Sequence, residues 1–431
     1  MNKSALRQIL IDQQKYLPQT KGLIPRDVDI SRIIHSEETV VLSGIRRCGK
    51  SSLLALIAEQ IPGTTLFINF DDIRFSDWSI ENYQHIYEIL GEFFGEGEPV
   101  TLLLDEIQNI SGWERWLNNL CQYRIKTIVT GSNASVLSSE LGTFLTGRHL
   151  TIRVHPFSFR EFLRYHKITV DNPEMMTSTQ KGEVIKQFRR YLKQGGFPSV
   201  VRTGDISLSE QYLTDILYRD IVARFGIREI KEFKDLTVFL ITNAGRVISY
   251  KTLSEIAGVR SVSTIKNYLD YLEQAFLLHR LGSLQYSLKA MTRSSYKVYA
   301  GDLSFIHSVG FHLSDDTGQR LENLVFLTLN QHYPEVYFFS GTRECDFLVK
   351  KGQKVEAAIQ VSVTLADPVT REREISGLIE AMEKFNVTEG VILTMDEEGS
   401  EDVEGKIIRI IPVWRWLLTY NLHEIHLDYL H

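Results

Sequence analysis

A phosphate-cradling pattern near the start of the chain constrains its fold more than any other stretch. Gly44-Ile45-Arg46-Arg47-Cys48-Gly49-Lys50-Ser51 fits G-x-x-x-x-G-K-[ST] at every defined position. A polyphosphate needs several backbone N–H groups aimed at it. The glycines let the backbone turn tightly enough to supply them, and a helix N-terminus adds its positive end. The flanks agree, since Val40-Val41-Leu42 reads as a buried strand and Ser52 to Ile61 as an apolar-periodic helix. Gly44, Arg47, Cys48, Gly49, Lys50, Ser51 and Ser52 are the expected binding positions for ATP, with Lys50 on the β/γ-phosphates and the Ser51 hydroxyl on Mg²⁺.

Val100-Thr101-Leu102-Leu103-Leu104-Asp105-Glu106 is the second fixed point. An apolar run that ends in an acidic pair is what a central strand needs to bring a carboxylate to the Mg²⁺ beside the phosphates. Asp105 is expected to hold the metal and Glu106 to act as general base on water. Ile125 to Thr130 reads as a further strand, ending in Gly131-Ser132-Asn133. Ser132 first and Asn133 second are candidates for a γ-phosphate or lytic-water contact, against a plain strand-to-helix cap. Arg148, just before an expected strand at His149 to Val154, is a candidate to complete the γ-phosphate site, in cis or from a neighbouring subunit, against a solvated arginine.

The whole chain sets bounds on these readings. At 431 residues it is too long for one core and predicts two to four domains. A net charge of −6 means that any nucleic-acid surface must be local. Cys48, Cys121 and Cys345 have neither ligand nor disulfide spacing, which suits a reducing compartment. Without a signal-peptide pattern or an apolar run of spanning length, the expectation is a cytoplasmic chain with no membrane partner.

Gly44 to Ser51, Leu103-Leu104-Asp105-Glu106-Ile107-Gln108, Thr130-Gly131-Ser132-Asn133, Leu145-Thr146-Gly147-Arg148 and Pro156 to Phe162 together resemble the prokaryotic AAA-type ATPases that carry a C-terminal domain of unassigned function. Gly195-Gly196-Phe197-Pro198 and Tyr218-Arg219-Asp220-Ile221 extend the resemblance over nearly the full chain. It implies an α/β P-loop fold of the ASCE type, with a parallel sheet and nucleotide at the positions already named. It implies no particular biological task.

The expected organisation is a core with an N-terminal flap over residues 1–155, a helical lid over 156–234, a winged helix over 235–295 and a nuclease-like α/β domain over 296–431. Ile24 to Arg26 in the flap is a candidate base-binding region. In the winged helix, Val238 to Asn243, Ile248 to Leu253 and Ser261 to Leu269 read as three helices, with Gly258 in the turn between the last two. Ser263, Lys266 and Asn267 are the groove-facing candidates, and Leu277 to Leu284 reads as a first wing strand. Arg246 to Ala300 holds eight Lys and Arg against three Asp and Glu, which points to double-stranded DNA, with a protein partner as the other possibility.

The last domain resembles a restriction-endonuclease core in which Glu322, Asp346 and Gln360 would converge on Mg²⁺. The lysine expected two residues after the third of these is Ser362, with Lys354 or Arg371 as possible substitutes, so a degenerate binding module is expected rather than an intact nuclease. Together these readings predict an ATP-hydrolysing switch that couples nucleotide state to the C-terminal modules. The alternatives are a nucleotide-gated scaffold without productive hydrolysis, and a Mg²⁺-dependent nuclease. Oligomeric state is left open.

Overall fold

The computed structural model describes residues 1–15, 17–94, 99–132, 148–259, 261–284, 295–309 and 317–419. Asn133 lies outside them, as do Tyr16, Leu145-Thr146-Gly147, Arg260, Lys289 and Arg293. The chain divides into two compact units, Met1–Glu161 with Gln274–Phe276, and Phe162–Glu273 with Leu277–His431.

In the first unit, β1 (Thr39–Ser43), β2 (Thr64–Asn69), β3 (Val100–Asp105), β4 (Thr127–Gly131) and β5 (His149–Arg153) form a parallel sheet in the order β2-β3-β4-β1-β5. All five residues of β1 and of β4 are buried, as a parallel strand covered on both faces must be. β4 lies between β1 and β3, so an extra strand separates the strand before the phosphate loop from the strand that ends in the acidic pair. The helix Lys3–Gln13 buries Leu6, Ile9 and Leu10 in the same core as Leu66, Ile68, Leu102 and Leu104. Gln13 and Gln14, at and just past its end, exchange side-chain hydrogen bonds with the backbone of Asn69 and Phe67 on edge strand β2. They satisfy an edge that would otherwise be open to pairing.

In the second unit, the helix Ser178–Gln194 starts on a capping box between Thr177 and Gln180. Pro198–Thr203 and Ser207–Asp215 follow, and Ile216–Val222, which contains Tyr218-Arg219-Asp220-Ile221, winds as a π-helix. The next helix, Ile230–Thr242, begins eight residues before the expected start, because Phe233, Leu236 and Leu240 extend the same buried stripe toward the N-terminus. The expected helix at Ile248 is instead the two-residue strand β6 (Val247–Ile248), followed by a helix over Tyr250–Ile256 capped by the Ser249 side chain. Val262–Gln274 buries Ile265, Tyr268, Leu269 and Leu272 and leaves Ser263, Lys266 and Asn267 exposed. With β7 (Leu278–Gly282) and β8 (Tyr296–Ala300), β6 forms an antiparallel sheet in the order β6-β8-β7.

Beyond the helices Leu303–Val309 and Thr317–His332 come β9 (Val336–Ser340), β10 (Glu344–Lys351), β11 (Lys354–Val361), β12 (Glu389–Thr394), β13 (Gly399–Val403) and β14 (Lys406–Pro412). They form a mixed sheet, β13-β14-β12-β11-β10-β9, with the helix Pro368–Phe385 leading from β11 into its parallel neighbour β12. No helix among the described residues is long and apolar enough to cross a membrane.

Candidate functional site

The phosphate loop leaves the C-terminal end of β1 and enters the helix Lys50–Ala58. A Cβ on Gly44 would lie 2.0 Å from the carbonyl oxygen of Val154, so only glycine lets the loop pass β5 this closely. Gly49 caps the helix at φ +103°, a left-handed conformation open to glycine, and Arg47 also takes a positive φ of 70°. Lys50 is buried and donates to the carbonyl oxygens of Gly44 (3.0 Å) and Ile45 (3.3 Å) across its own loop. Cys48 is fully buried, which pushes its thiol above the ordinary range.

The acidic pair arrives at the same edge of the sheet. Asp105, 4% exposed, accepts from the Ser51 hydroxyl at 2.7 Å and from the Thr130 hydroxyl at 2.5 Å. Burial, and then the charge of Glu106, raise its carboxyl above the usual range, while Thr130, Ser51 and Lys50 pull the other way. One hydroxyl and one carboxylate oxygen this close are hard donors of the kind Mg²⁺ takes, so Ser51 and Asp105 fit the metal expected of them. Glu106 sits at φ +52°, which is strained for a residue with a side chain, and its N–H donates to the Thr130 hydroxyl at 2.9 Å. Its carboxylate lies 3.8 Å from the Lys50 ammonium. The Gln108 amide donates to that carboxylate and reaches the Ser132 hydroxyl at 3.5 Å. Ser52, on the first turn of the helix, is half-buried.

The sequence reading missed Thr130 as a contact of both acids and Gln108 as the partner of Glu106. A hydroxyl ending a buried strand beside the acid-bearing strand was the available signal for Thr130. Arg26, singled out only within a base-binding region, lays its side chain, 6% exposed, against the loop. It donates to Glu161 (2.8 Å) and to the carbonyls of His155 (2.6 Å) and Cys48 (3.2 Å).

Arg148 is placed elsewhere. β1 and β5 pair in parallel with Thr39 opposite His149 and Ser43 opposite Arg153, so Arg148 stands at the N-terminal edge of the sheet. At about 3.3 Å per residue that is roughly 16 Å from the edge carrying the phosphate loop. A γ-phosphate contact within one chain is therefore out of reach, which corrects the cis reading. The contact from a neighbouring subunit and the solvated arginine are both compatible with the register.

In the second unit, Glu322 from the helix Thr317–His332 and Asp346 from β10 come together, with Gln360 of β11 beside Asp346. Gln360 accepts the Asp346 N–H at 3.1 Å and donates to Glu374 at 2.5 Å. The cation at their centre is one that the sequence reading counted only among the basic residues of Arg246 to Ala300. Lys297 of β8, 1% exposed, places its ammonium 2.9 Å from Glu322, 2.8 Å from Glu344 and 2.8 Å from Asp346. Burial disfavours its charge, but Asp346, Tyr299, Glu322 and Glu344 outweigh burial and hold it protonated well above the ordinary range. Burial and the Asp346 charge push Glu322 up to about 7, against the pull of Lys297 and Tyr299. The proposed substitutes are not there: Lys354 is exposed at the far end of β11, Arg371 pairs with Glu401, and Ser362 bonds the Thr364 carbonyl. The signal for Lys297 was in Tyr296-Lys297-Val298-Tyr299-Ala300, where a lysine interrupts an apolar strand and so demands buried partners.

The family model of the AAA domain matches residues 36–163, which supports nucleotide binding by the first unit, and that of a domain of unknown function (DUF8612) matches 185–317. The uncharacterized protein MJ1544 of Methanocaldococcus jannaschii is 31% identical over 438 residues, covering 97% of this chain and 96% of the relative. An uncharacterized protein of Haemophilus influenzae is 29% identical, covering 93% of this chain and all of the relative. Among solved structures, the RuvB Holliday junction branch migration motor of Thermotoga maritima matches at 17% identity and a TM-score of 0.30, over 62% of this chain and 91% of that one. AMPPCP-bound DnaA from Aquifex aeolicus matches at 13% identity and 0.26, over 56% and 85%.

Proposed function

The chain belongs to the family of its full-length archaeal relative, and from that premise we propose that its first unit binds and hydrolyses ATP as a switch for the C-terminal modules. The observation that carries this reading is the gathering of Lys50, Ser51, Asp105, Glu106 and Thr130 at one sheet edge, with Ser51 and Asp105 in direct contact. Lys50 would bind the β- and γ-phosphates, and the loop amides would orient them. Ser51 and Asp105 would hold Mg²⁺, which neutralises phosphate charge when bound. Glu106, its backbone fixed by Thr130, would take the proton of the attacking water. Ser132 would orient that water or the γ-phosphate.

A second reading, a nucleotide-gated scaffold without productive turnover, is favoured by the Gln108 amide held on the Glu106 carboxylate. One experiment separates the two. Steady-state ATP turnover of the wild type should fall by about 10²-fold or more in Glu106→Gln, the size of a general-base contribution. Equal background rates in both proteins would leave only the scaffold.

The order helix, β6, helix, helix, β7, β8, with the sheet order β6-β8-β7, supports a winged helix, and the exposed Ser263, Lys266 and Asn267 support duplex DNA as its partner. The convergence of Glu322, Asp346 and Gln360 supports a nuclease-like ancestry for the last sheet, read here as a module that does not cleave.

A further inference from the structure

We propose that the ammonium of Lys297 is a built-in replacement for the divalent cation that a Glu322–Asp346 cluster would otherwise hold, so that this cluster excludes metal as the protein stands. The proposal is independent of the ATP reading. An ammonium has three N–H donors, and here each has a carboxylate oxygen within hydrogen-bond distance, on Glu322, Glu344 and Asp346. Two of the carboxylates are held by further donors. Tyr299 donates to the same Glu322 oxygen at 2.8 Å, and the Val361 N–H donates to the second Asp346 oxygen at 3.0 Å.

A metal ligated by both Glu322 and Asp346 at the ordinary distance of about 2.1 Å would have to sit where this nitrogen is. Lys297 cannot step aside cheaply. Its strand is hydrogen-bonded on both edges, to β6 and to β7, and a buried ammonium without its carboxylates carries a large desolvation penalty. Among the described residues, no group of three or more His, Cys, Asp or Glu side chains is arranged to hold a metal ion. Gln360, an amide where the fold resemblance expects an acid or an amide, is locked at both ends and adds no charge to attract one. Lys297 thus does the electrostatic work of a metal ion while offering no open coordination position to a phosphodiester or to water.

Lys297→Met tests this, because it keeps the length and apolar bulk of the stem and removes only the charge. The full-length, nucleotide-free chain is used, with Asp105→Asn in every sample so that the phosphate-loop ligands do not contribute, and Mn²⁺ is the probe. Equilibrium dialysis should show no Mn²⁺ uptake by the parent that Asp346→Asn removes. Lys297→Met should gain an Asp346-dependent ion and melt several degrees higher with Mn²⁺ than in chelator. Should Lys297→Met fail to fold in chelator, recovery on refolding with Mn²⁺ supports the proposal equally. The triple variant Lys297→Met/Glu322→Gln/Asp346→Asn should then fold without metal and take up none. Asp346-dependent Mn²⁺ uptake by the parent overturns the proposal, as does a Lys297→Met chain that gains nothing from the ion in uptake, melting or refolding.

Discussion

Asp302 illustrates how far one buried carboxyl can shape this chain. Its two oxygens accept the N–H groups of Gly196 (2.8 Å) and Ser304 (2.9 Å), so it ties the Gly195-Gly196 break to the end of β8. Burial pushes it up to about 6 from an ordinary 3.8, against those hydrogen bonds. A raised acid keeps its proton in the folded state after the unfolded chain has lost it. Its contribution to stability is thus full below about pH 4 and is lost as pH rises through 6, on the order of 3 kcal/mol. Denaturant melts of wild type and Asp302→Asn at a series of pH values should therefore differ by a slope confined to that window. Parallel profiles would contradict the assignment. The loop around Gly195 was legible in the sequence as a break, because glycine pairs rarely serve anything else. Asp302 was not, since nothing local distinguishes an acid that answers a backbone N–H group 106 residues away.

At the scale of elements, legibility followed how many independent signals each carried. β1, β3 and β4 each join a buried apolar run to polar residues of the candidate site, and all three were readable. β13 has none of these signals: Gly399 to Val403 is polar and half-exposed, and only pairing with β14 makes it a strand. The helix Val262–Gln274 was readable from its apolar stripe, but the charge count around it overstated its surface. Arg280 is committed to Asp270 and Glu273, Lys297 is buried among carboxylates, and Arg246, Lys251 and Lys266 are the counted cations that the described residues leave exposed, beside an exposed Glu255. Duplex binding should accordingly be modest and salt-dependent. Lys266→Glu should weaken it and lower its salt slope by about one. Filter binding by the wild type that shows no salt-dependent affinity would remove DNA as the partner.

For the whole molecule, the two units differ in how their charges are held. The first brings Lys50, Ser51 and Asp105 to one edge, where they are placed to meet a ligand. The second closes Glu322, Glu344 and Asp346 around a cation of its own. The sequence motifs identified the first arrangement because Lys50 and Ser51 share one recognisable pattern and Asp105 ends another, although 54 residues separate Ser51 from Asp105. They missed the centre of the second because Lys297 belongs to no such pattern and meets Glu322 and Asp346, 25 and 49 residues on, only in the fold. The central claim, that the first unit grips a nucleoside triphosphate through Lys50, is tested most directly by calorimetric titration of the full chain with ATP and Mg²⁺, beside Lys50→Ala. The wild type should give a saturable heat, and Lys50→Ala should bind at least about tenfold more weakly, the loss expected of a hydrogen bond to a charged group. No heat from the wild type at millimolar ATP, or equal affinity in the two proteins, would contradict it.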